Sequence, residues 1–567
     1  MGKGHVRPSA PASLTMRLFA PGMTRLHRAG LGGLACTLRY IERAYEGCAL
    51  SDDELPAPLA VDQPPWQVTG DTLSLYFGKP EGAAAYLERM FRIAFQIKDG
   101  LLYLPGQYPD VPPPLAVRAE LQSGLTLTFL QHGKARKLAA AQTFLVDPDN
   151  TGTGAIPIEY RACSWFKHQD GWEELIDAKT GCLSSRPVEV LGPLNPGAVV
   201  RHVAFAAATR VEETPERVLP LYFALVGCLA LTINRGAGVL VVPDVDDLGA
   251  FVADRPAMTP RSVGECRVGG AGDAVLQALT RLRSRTVLQE SRLPTCIAAR
   301  FQPTSWASQQ KSRVDTFVMA KSEVCRLEPG EPTASERMMK QFAVALTELP
   351  ARVVAKTVKE TTGRGRQRRE IERQVAFRVD SVVRPLVAEN LARGERWYHD
   401  FFRLSSSAET AQKLGYEQKG LQAMSDNPVL TEDDESRFIA ALHRAIFMAR
   451  GKIYADTMGA EKARRKEPAT SAVKNRWAGF MERLRLDLIG AKTRDQTQGK
   501  INELLARAGI IRELLDEQSF RAVQRLLFGE DWQRVRNLAL FALASYKRPA
   551  NVAAVPGEYE EAVQPNS

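Results

Sequence analysis

Apolar residues recur every three or four positions through the second half of this chain, and that spacing predicts helices. Phe438, Leu442, Ala445 and Ala449 form one stripe; Trp477, Met481, Leu484 and Leu488 form a second. Leu504, Ala508, Ile511 and Leu515 form a third, and Leu526, Leu538 and Phe541 belong to later helices around a break at Gly529. Such stripes give each helix one apolar face, and about four helices of this kind close a bundle. Before Glu328-Pro-Gly-Glu-Pro332 the pattern is different. Trp66-Gln-Val-Thr-Gly-Asp-Thr-Leu-Ser-Leu-Tyr-Phe77 has a turn at Gly70-Asp71 between two β-rich stretches, a hairpin signal. Glu81 to Ile97 reads as a helix through Ala84, Leu87, Phe91 and Phe95. Leu101–Leu104 and the alternating Leu125-Thr-Leu-Thr-Phe129 read as strands, and Tyr108–Pro114 and Gly192–Gly197 as Pro/Gly connectors. The fold class expected is α+β, a mixed α/β N-terminal part followed by a C-terminal all-α helical bundle.

Length turns this into a domain scheme, since 567 residues exceed one compact core. Residues 1–15 read as a disordered lead-in, 16–330 as a mixed region of one or two subdomains, and 331–465 as a helical, basic connector. Residues 466–550 read as the terminal bundle and 551–567 as a tail. No run of about 18 apolar residues is present, and Met1–Thr15 lacks the apolar core of a secretory signal, so a cytoplasmic protein without membrane contact is expected. The eight cysteines (36, 48, 163, 182, 228, 266, 296 and 325) form no closely spaced pairs of the kind structural zinc uses; reduced, mostly buried thiols are expected.

A search for catalytic chemistry finds little. The phosphate loop GxxxxGK[ST], HExxH and GxSxG are all missing, and Gly152-Thr-Gly154 is better read as a turn than as a dinucleotide fingerprint. The acidic runs Asp52-Asp53-Glu54, Asp244 with Asp246-Asp247, and Asp433-Asp434-Glu435 could seat a metal, but such runs are more often solvated loops or helix starts. His399-Asp400 has the order of a base and its orienting carboxylate, yet no nucleophile stands nearby in sequence. No catalytic residue, metal or cofactor is assigned.

Charge points elsewhere. The chain carries a formal +10, with nine Lys/Arg against four Asp/Glu in Ala351–Asp380 and 19 against 14 from Glu461 onward. Gly363-Arg-Gly-Arg-Gln-Arg-Arg369 places Arg364, Arg366, Arg368 and Arg369 in one glycine-bearing loop, a composition suited to phosphate contact; a solvated charge run is the alternative. Further backbone-contact candidates are Lys134, Arg136 and Lys137; Lys462, Arg464, Arg465 and Lys466; and Lys492 and Arg494 with Lys500 in a helix link. Candidate base contacts are Arg201 and His202, and Gln302, Gln309 and Gln310 around Trp306, with a buried tryptophan and surface glutamines as the plainer reading.

The sharpest local signal is Leu18-Phe-Ala-Pro-Gly-Met-Thr-Arg-Leu-His-Arg-Ala-Gly-Leu-Gly-Gly-Leu-Ala-Cys-Thr-Leu38. It reads as a strand end, a Pro21-Gly22 turn and a helix capped by Thr24. Ala29, Gly30, Gly32, Gly33 and Ala35 bare one side of that helix for close packing on a sheet. Glycines inside a helix cost up to about 1 kcal/mol each, so tight packing or a close ligand must compensate. With Pro196-Gly-Ala-Val-Val-Arg-His-Val-Ala-Phe205, this stretch resembles the large subunit of type I CRISPR surveillance complexes (Cascade), in the myxococcal (MYXAN) subgroup. The resemblance implies a subunit without nuclease activity that inspects a short flanking motif in target double-stranded DNA while a guide RNA reads the rest. It further implies a wedge that opens the duplex and a terminal bundle like the small subunit that lines the displaced single strand. The implied partners are the guide RNA-bearing complex, with its backbone and crRNA-end subunits, and a recruited helicase–nuclease. In related systems the bundle is also made from an internal start, and Met424, Met448 and Met458 lie where one would fall. Two other classes stay open: an endonuclease or RNA-processing enzyme using His27 or His399, and a DNA-binding regulator that needs no guide.

Overall fold

The computed structural model describes residues 12–546 apart from 48, 52, 57–64, 109–110, 147–154, 191, 198–210, 234–235, 286–293, 305–310, 321–333, 363–368, 460, 462–464, 466 and 508–515. For 303–304, 311–317, 320, 356, 358–362 and 369–375 it describes the backbone only. The chain divides into two compact units. One comprises Met1–Val324 with Val353–Arg378, the other Cys325–Arg352 with Val379–Ser567.

In the first unit, β1 (Ser13–Arg17) leads into α1 (Arg25–Glu46), and β2 (Trp66–Val68) and β3 (Thr72–Tyr76) form the expected hairpin. These strands make an antiparallel sheet of order β1-β3-β2. The helix α2 (Ala83–Ala94), the short pair β4 (Gln96–Lys98) and β5 (Leu101–Tyr103), and α3 (Leu115–Leu127) follow. Next comes a long two-stranded ribbon, β6 (Arg136–Val146) with β7 (Ile156–Phe166), then α4 (Pro215–Gly227). A five-stranded sheet is built from β8 (Leu229–Ile233), β9 (Ala237–Pro243), β10 (Arg267–Val268), β11 (Cys296–Thr304) and β12 (Lys311–Ala320), in the order β10-β8-β9-β11-β12. Only the β10–β8 pairing is parallel. The helices α5 (Leu248–Met258) and α6 (Ala271–Arg285) complete this part.

The signature helix forms as its sequence dictates: the Thr24 hydroxyl accepts from the His27 amide, and His27 Nδ1 accepts in return from the Thr24 amide at 3.3 Å. Sequence alone predicts that its bare face packs on a sheet, but Gly30 and Gly33 do not face one. They meet helix α4. A methyl group at Gly30 would stand 2.0 Å from the Pro220 carbonyl oxygen, and one at Gly33 would stand 2.3 Å from that of Phe223. On the other helix, a methyl group at Gly227 would stand 1.8 Å from the Ala29 carbonyl oxygen. Two helix backbones therefore touch, and glycine is what lets them.

The strand expected at Leu125–Phe129 is also absent. Leu125, Thr126 and Leu127 end α3 instead, and the Thr126 and Thr128 hydroxyls donate back to the carbonyls of Ser123 and Gly124 at 2.9 Å. That back-bonding satisfies the polar partner of each apolar residue inside a helix, so the period-two alternation carried no strand. Gly124 lies against strand β8, where a methyl group would come within 2.3 Å of the Ala230 carbonyl oxygen.

His168 is fully buried among the rings of Phe95, Phe166 and Tyr222, whose centroids lie 5.7, 6.1 and 5.7 Å away. Burial, with Lys167 beside it, pushes its pKa down to about 3. The folded state thus keeps the ring neutral, while the unfolded chain takes up a proton below its ordinary value of about 6.5. The stability this group lends is present above that value and falls as pH drops toward 3. Between pH 7 and pH 5 the loss is about 2 kcal/mol, and His27, lowered to about 4 mainly by burial, adds in the same direction. Urea midpoints at the two pH values should show this drop, and His168→Phe should shrink it; an equal drop in both proteins would refute the assignment.

The next elements are α7 (Ala334–Glu348) and a second long ribbon, β13 (Arg352–Thr362) with β14 (Arg369–Val379). This ribbon was not foreseen in a stretch read as a helical connector.

The second unit is otherwise helical, in line with the bundle expected. It contains α8 (Val383–Ala392), α9 (Asp433–Met458), α10 (Ser471–Gly490), α11 (Arg494–Arg507), α12 (Glu517–Leu527) and α13 (Trp532–Ala544), with shorter helices between Phe402 and Ser425. The stripes close on one another: Phe438, Leu442, Leu488, Leu504, Leu538 and Phe541 are all buried. Trp397 stands edge-on to Phe541 at 4.8 Å and donates to the Leu430 carbonyl. Ala508, Ile511 and Leu515 of the third stripe lie outside the described residues.

Candidate nucleic-acid interface

The first unit carries two long ribbons. Each has strands of 11 residues, about 35 Å of extended chain. One small core holds both. Ile156 and Ile158 of β7 are buried there with Val117 and Ala119 of α3 and Ala376 of β14, and Val353 of β13 packs on its margin. Arg378 of β14 adds hydrogen bonds to the Gly264 and Arg267 carbonyls at 3.3 and 3.4 Å. The distal half of the first ribbon thus supports the base of the second. A two-stranded ribbon is one of the elements that fit the major groove of duplex DNA.

The basic candidates distribute over this frame unevenly. Lys134 is exposed in the single turn Gly133–Ala135 that leads into β6. Arg136 is half-buried and donates to the Thr126 carbonyl at 3.3 Å. Lys137 is exposed, its ammonium 5.5 Å from the centre of the Trp165 ring. Arg364, Arg366 and Arg368 lie outside the described residues, between β13 and β14 in sequence, and Arg369 begins β14. Gln302 is exposed on β11; Trp306, Gln309 and Gln310 fall outside the described residues between β11 and β12. Arg201 and His202 fall outside them too.

In the helical unit, Lys492 and Arg494 are exposed at the start of α11, Arg494 donating to the Phe528 carbonyl. Lys500 is held by Asp487 at 3.3 Å and Glu503 at 3.8 Å. Arg465 is exposed and paired with Glu461 at 2.5 Å; Lys462, Arg464 and Lys466 are outside the described residues. Sequence reasoning missed a basic, aromatic surface on α9 and α10. Trp477 and Phe480 stack at 5.6 Å and 25°, and the Arg450 guanidinium lies 5.6 Å from the Trp477 ring. Lys474, Arg476 and Arg483 of α10 and Lys452 of α9 are exposed. Trp477 was read only as a core stripe residue, yet only Val473, Leu484 and Leu488 of α10 are buried. The signal available was three cations interleaved with those two aromatics over ten residues, a pattern that suits stacking on bases as well as phosphate contact.

The acidic and histidine candidates are engaged elsewhere. Asp433-Asp434-Glu435 opens α9, and arginines hold each carboxylate: Arg437 at 2.9 Å, Arg525 at 2.5 Å, and Arg396 with Arg534 at 2.8 and 2.7 Å. Asp244 takes Arg25 at 3.0 Å and also Arg28, and Asp247 caps α5 through the Ala250 amide. The Asp400 carboxylate is 3.8 Å from His399 Nδ1 and 2.7 Å from Arg403. Among the described residues no cluster of three His, Cys, Asp or Glu side chains has the geometry to hold a metal, and no helix is long and apolar enough to cross a membrane.

A mixed N-terminal unit with two long ribbons and a helical C-terminal unit define a class, a large α+β protein built of two parts. Comparison with known proteins gives the family. Residues 15–222 match the DevT N-terminal domain and residues 426–566 the DevT C-terminal domain. The chain is 32% identical to the CRISPR-associated protein Cas8a1/Csx13 of Myxococcus xanthus (strain DK1622), over 98% of this chain and 92% of that protein. The chain belongs to the myxococcal family of type I CRISPR surveillance-complex (Cascade) large subunits.

Proposed function

We propose that this chain is the DNA-engaging large subunit of an RNA-guided surveillance complex. It reads the flanking motif in duplex DNA, helps to part the strands, holds the displaced one and recruits the helicase–nuclease. The single observation that carries this reading is the pair of long ribbons fixed on one core with α3, the second having Arg364, Arg366, Arg368 and Arg369 between or at the start of its strands. Arginine supplies two-point phosphate contact there, which adds affinity and register without sequence choice. Sequence choice belongs to the guide and to polar side chains such as Gln302. The stacked pair Trp477–Phe480 with Arg450 suits the unpaired bases of a displaced strand. In this reading the family's large subunit does no chemistry of its own.

Replacing Arg364, Arg366, Arg368 and Arg369 together by alanine tests the ribbon in the assembled complex. Affinity for duplex targets should fall roughly ten- to hundredfold for every flanking sequence alike, with the slope of log K against log salt shallower by about 2–4. Unchanged binding would make these arginines a solvated face. A specific, magnesium-dependent cut by the pure chain, lost in His27→Ala, would replace the proposal with an enzyme.

A further inference from the structure

We infer that the free edge of β6 is a docking site for an extended strand from another protein of the complex, by strand addition. The inference rests on the chain's proposed place in such a complex. Strand β6 pairs with β7 alone, so among the described residues its other edge has no strand beside it. A row of backbone N–H and C=O groups faces outward along such an edge, a ready template for a further strand. Ala139 to Thr143 are exposed on both faces of the ribbon, and Leu145 is 61% exposed.

Residue types along the edge decide what covers it. Leu138-Ala-Ala-Ala-Gln-Thr-Phe-Leu-Val146 holds no charge, no proline and no glycine, in a chain of which 25% is charged. Proteins ordinarily guard exposed edges with lysine, proline or a short strand. From Leu138 to Val146 β6 has none of those devices; its register shifts between Lys137 and Leu138 and again between Leu138 and Ala141, which leaves Ala141 to Val146 in straight pairing. A polyanion would require cations along the strip, and it has none beyond Arg136 and Lys137 at one end. Small alanines on both faces leave room for an incoming backbone. Uncharged and hydrogen-bond-rich, the edge complements a peptide strand and not a nucleic acid. The two neighbouring surfaces then divide the work, with basic residues at the ribbon base and on the second ribbon facing nucleic acid.

Amide hydrogen exchange of residues 138–146 tests this in the full chain, alone and assembled with its protein partners and guide RNA, without target DNA. Exchange should slow at least about tenfold on assembly. The double variant Ala140→Lys, Thr143→Lys, which adds two guarding charges to the edge, should enter the complex about tenfold more weakly while unfolding at the parent's urea midpoint. Unchanged exchange in a complex that still binds its target overturns the inference and leaves the proposed function standing. Protection that appears only with DNA assigns the edge to nucleic acid, and protection of the isolated chain that rises with its concentration assigns it to a second copy; either overturns the inference. A chain that joins no complex overturns the proposed function, and this inference with it. Should the variant misfold, the exchange of the parent chain decides alone.

Discussion

Gly33→Ala should cost the N-terminal unit about 4 kcal/mol or more, although it adds one methyl group to a helix and improves local propensity. The methyl would lie 2.3 Å from the Phe223 carbonyl oxygen, 2.6 Å from the Gly227 amide nitrogen and 3.1 Å from the Gly227 Cα. All three are backbone atoms of α4, so no rotamer can relieve the clash. The helices would have to part, opening a gap along a face that buries Leu34, Leu38, Phe223 and Val226. Overpacking of side chains costs typically 1–3 kcal/mol because neighbours can turn away; here only a rigid shift of a 13-residue helix is available. Gly479→Ala is the matched control: it too is helical, in α10, and a methyl there meets nothing within 4 Å. That variant should gain about 0.5–1 kcal/mol. Urea unfolding followed by circular dichroism reads both changes, and a Gly33→Ala protein as stable as its parent would show that α1 and α4 do not touch as described.

The same glycines show what could be read from sequence and what could not. Four small residues within Ala29–Gly33 announce that something lies close, because helix glycines carry a cost that packing must offset. They do not announce what lies close, and the partner proved to be α4, almost 200 residues onward, where Gly227 and Pro220 gave no periodic signal of their own. The helical stripes of α9 and α10 were legible because a 3.6-residue period with one buried face is a local property. The ribbon β13–β14 was not legible, since its strands interleave lysine, arginine and glutamate with valine and carry no sustained period-two alternation of apolar residues. Alternation at Leu125–Phe129 misled for the complementary reason: a helix buried on several sides also tolerates apolar residues at every second position. As for the candidate site, composition marked Arg364–Arg369 and Lys134–Lys137 as basic, but only the fold shows two ribbons sharing one core, one with Arg136 and Lys137 at the start of β6 and the other opening β14 at Arg369. The Trp477 surface escaped notice because an aromatic in a helical stripe reads as core until its exposure is known.

Glu435→Ala should cost the helical unit about 3–5 kcal/mol, the loss expected when one partner leaves a buried ionic cluster. Glu435 is 1% exposed, and its Oε1 receives Arg396 at 2.8 Å, Arg534 at 2.7 Å and the Tyr398 hydroxyl. Its Oε2 accepts the Glu432 amide, closing the capping box that starts α9. Burial and the Glu435 charge push the Tyr398 phenol well above its ordinary range, so it stays protonated and donates. Without Glu435, the one carboxylate these two guanidinium groups keep among the described residues is Glu432, at 3.0 Å from each and largely exposed to water, besides the Tyr398 hydroxyl at 3.1 Å from Arg534. Glu435→Gln keeps the shape and an accepting oxygen but loses the charge, and about half the cost should remain. Tyr398→Phe removes one donor and should cost about 1–2 kcal/mol. The cluster acts as a unit, joining the Trp397-Tyr398 turn, the start of α9 and the start of α13. The double variant Glu435→Ala, Arg534→Ala should therefore cost less than the sum of its singles, because the second change removes a charge the first had stranded. Strict additivity would mean that each arginine finds water as readily as it finds Glu435, and the segments would then depend on other contacts, such as those of Trp397 and Phe401 with Phe541 and the Trp397 hydrogen bond to the Leu430 carbonyl.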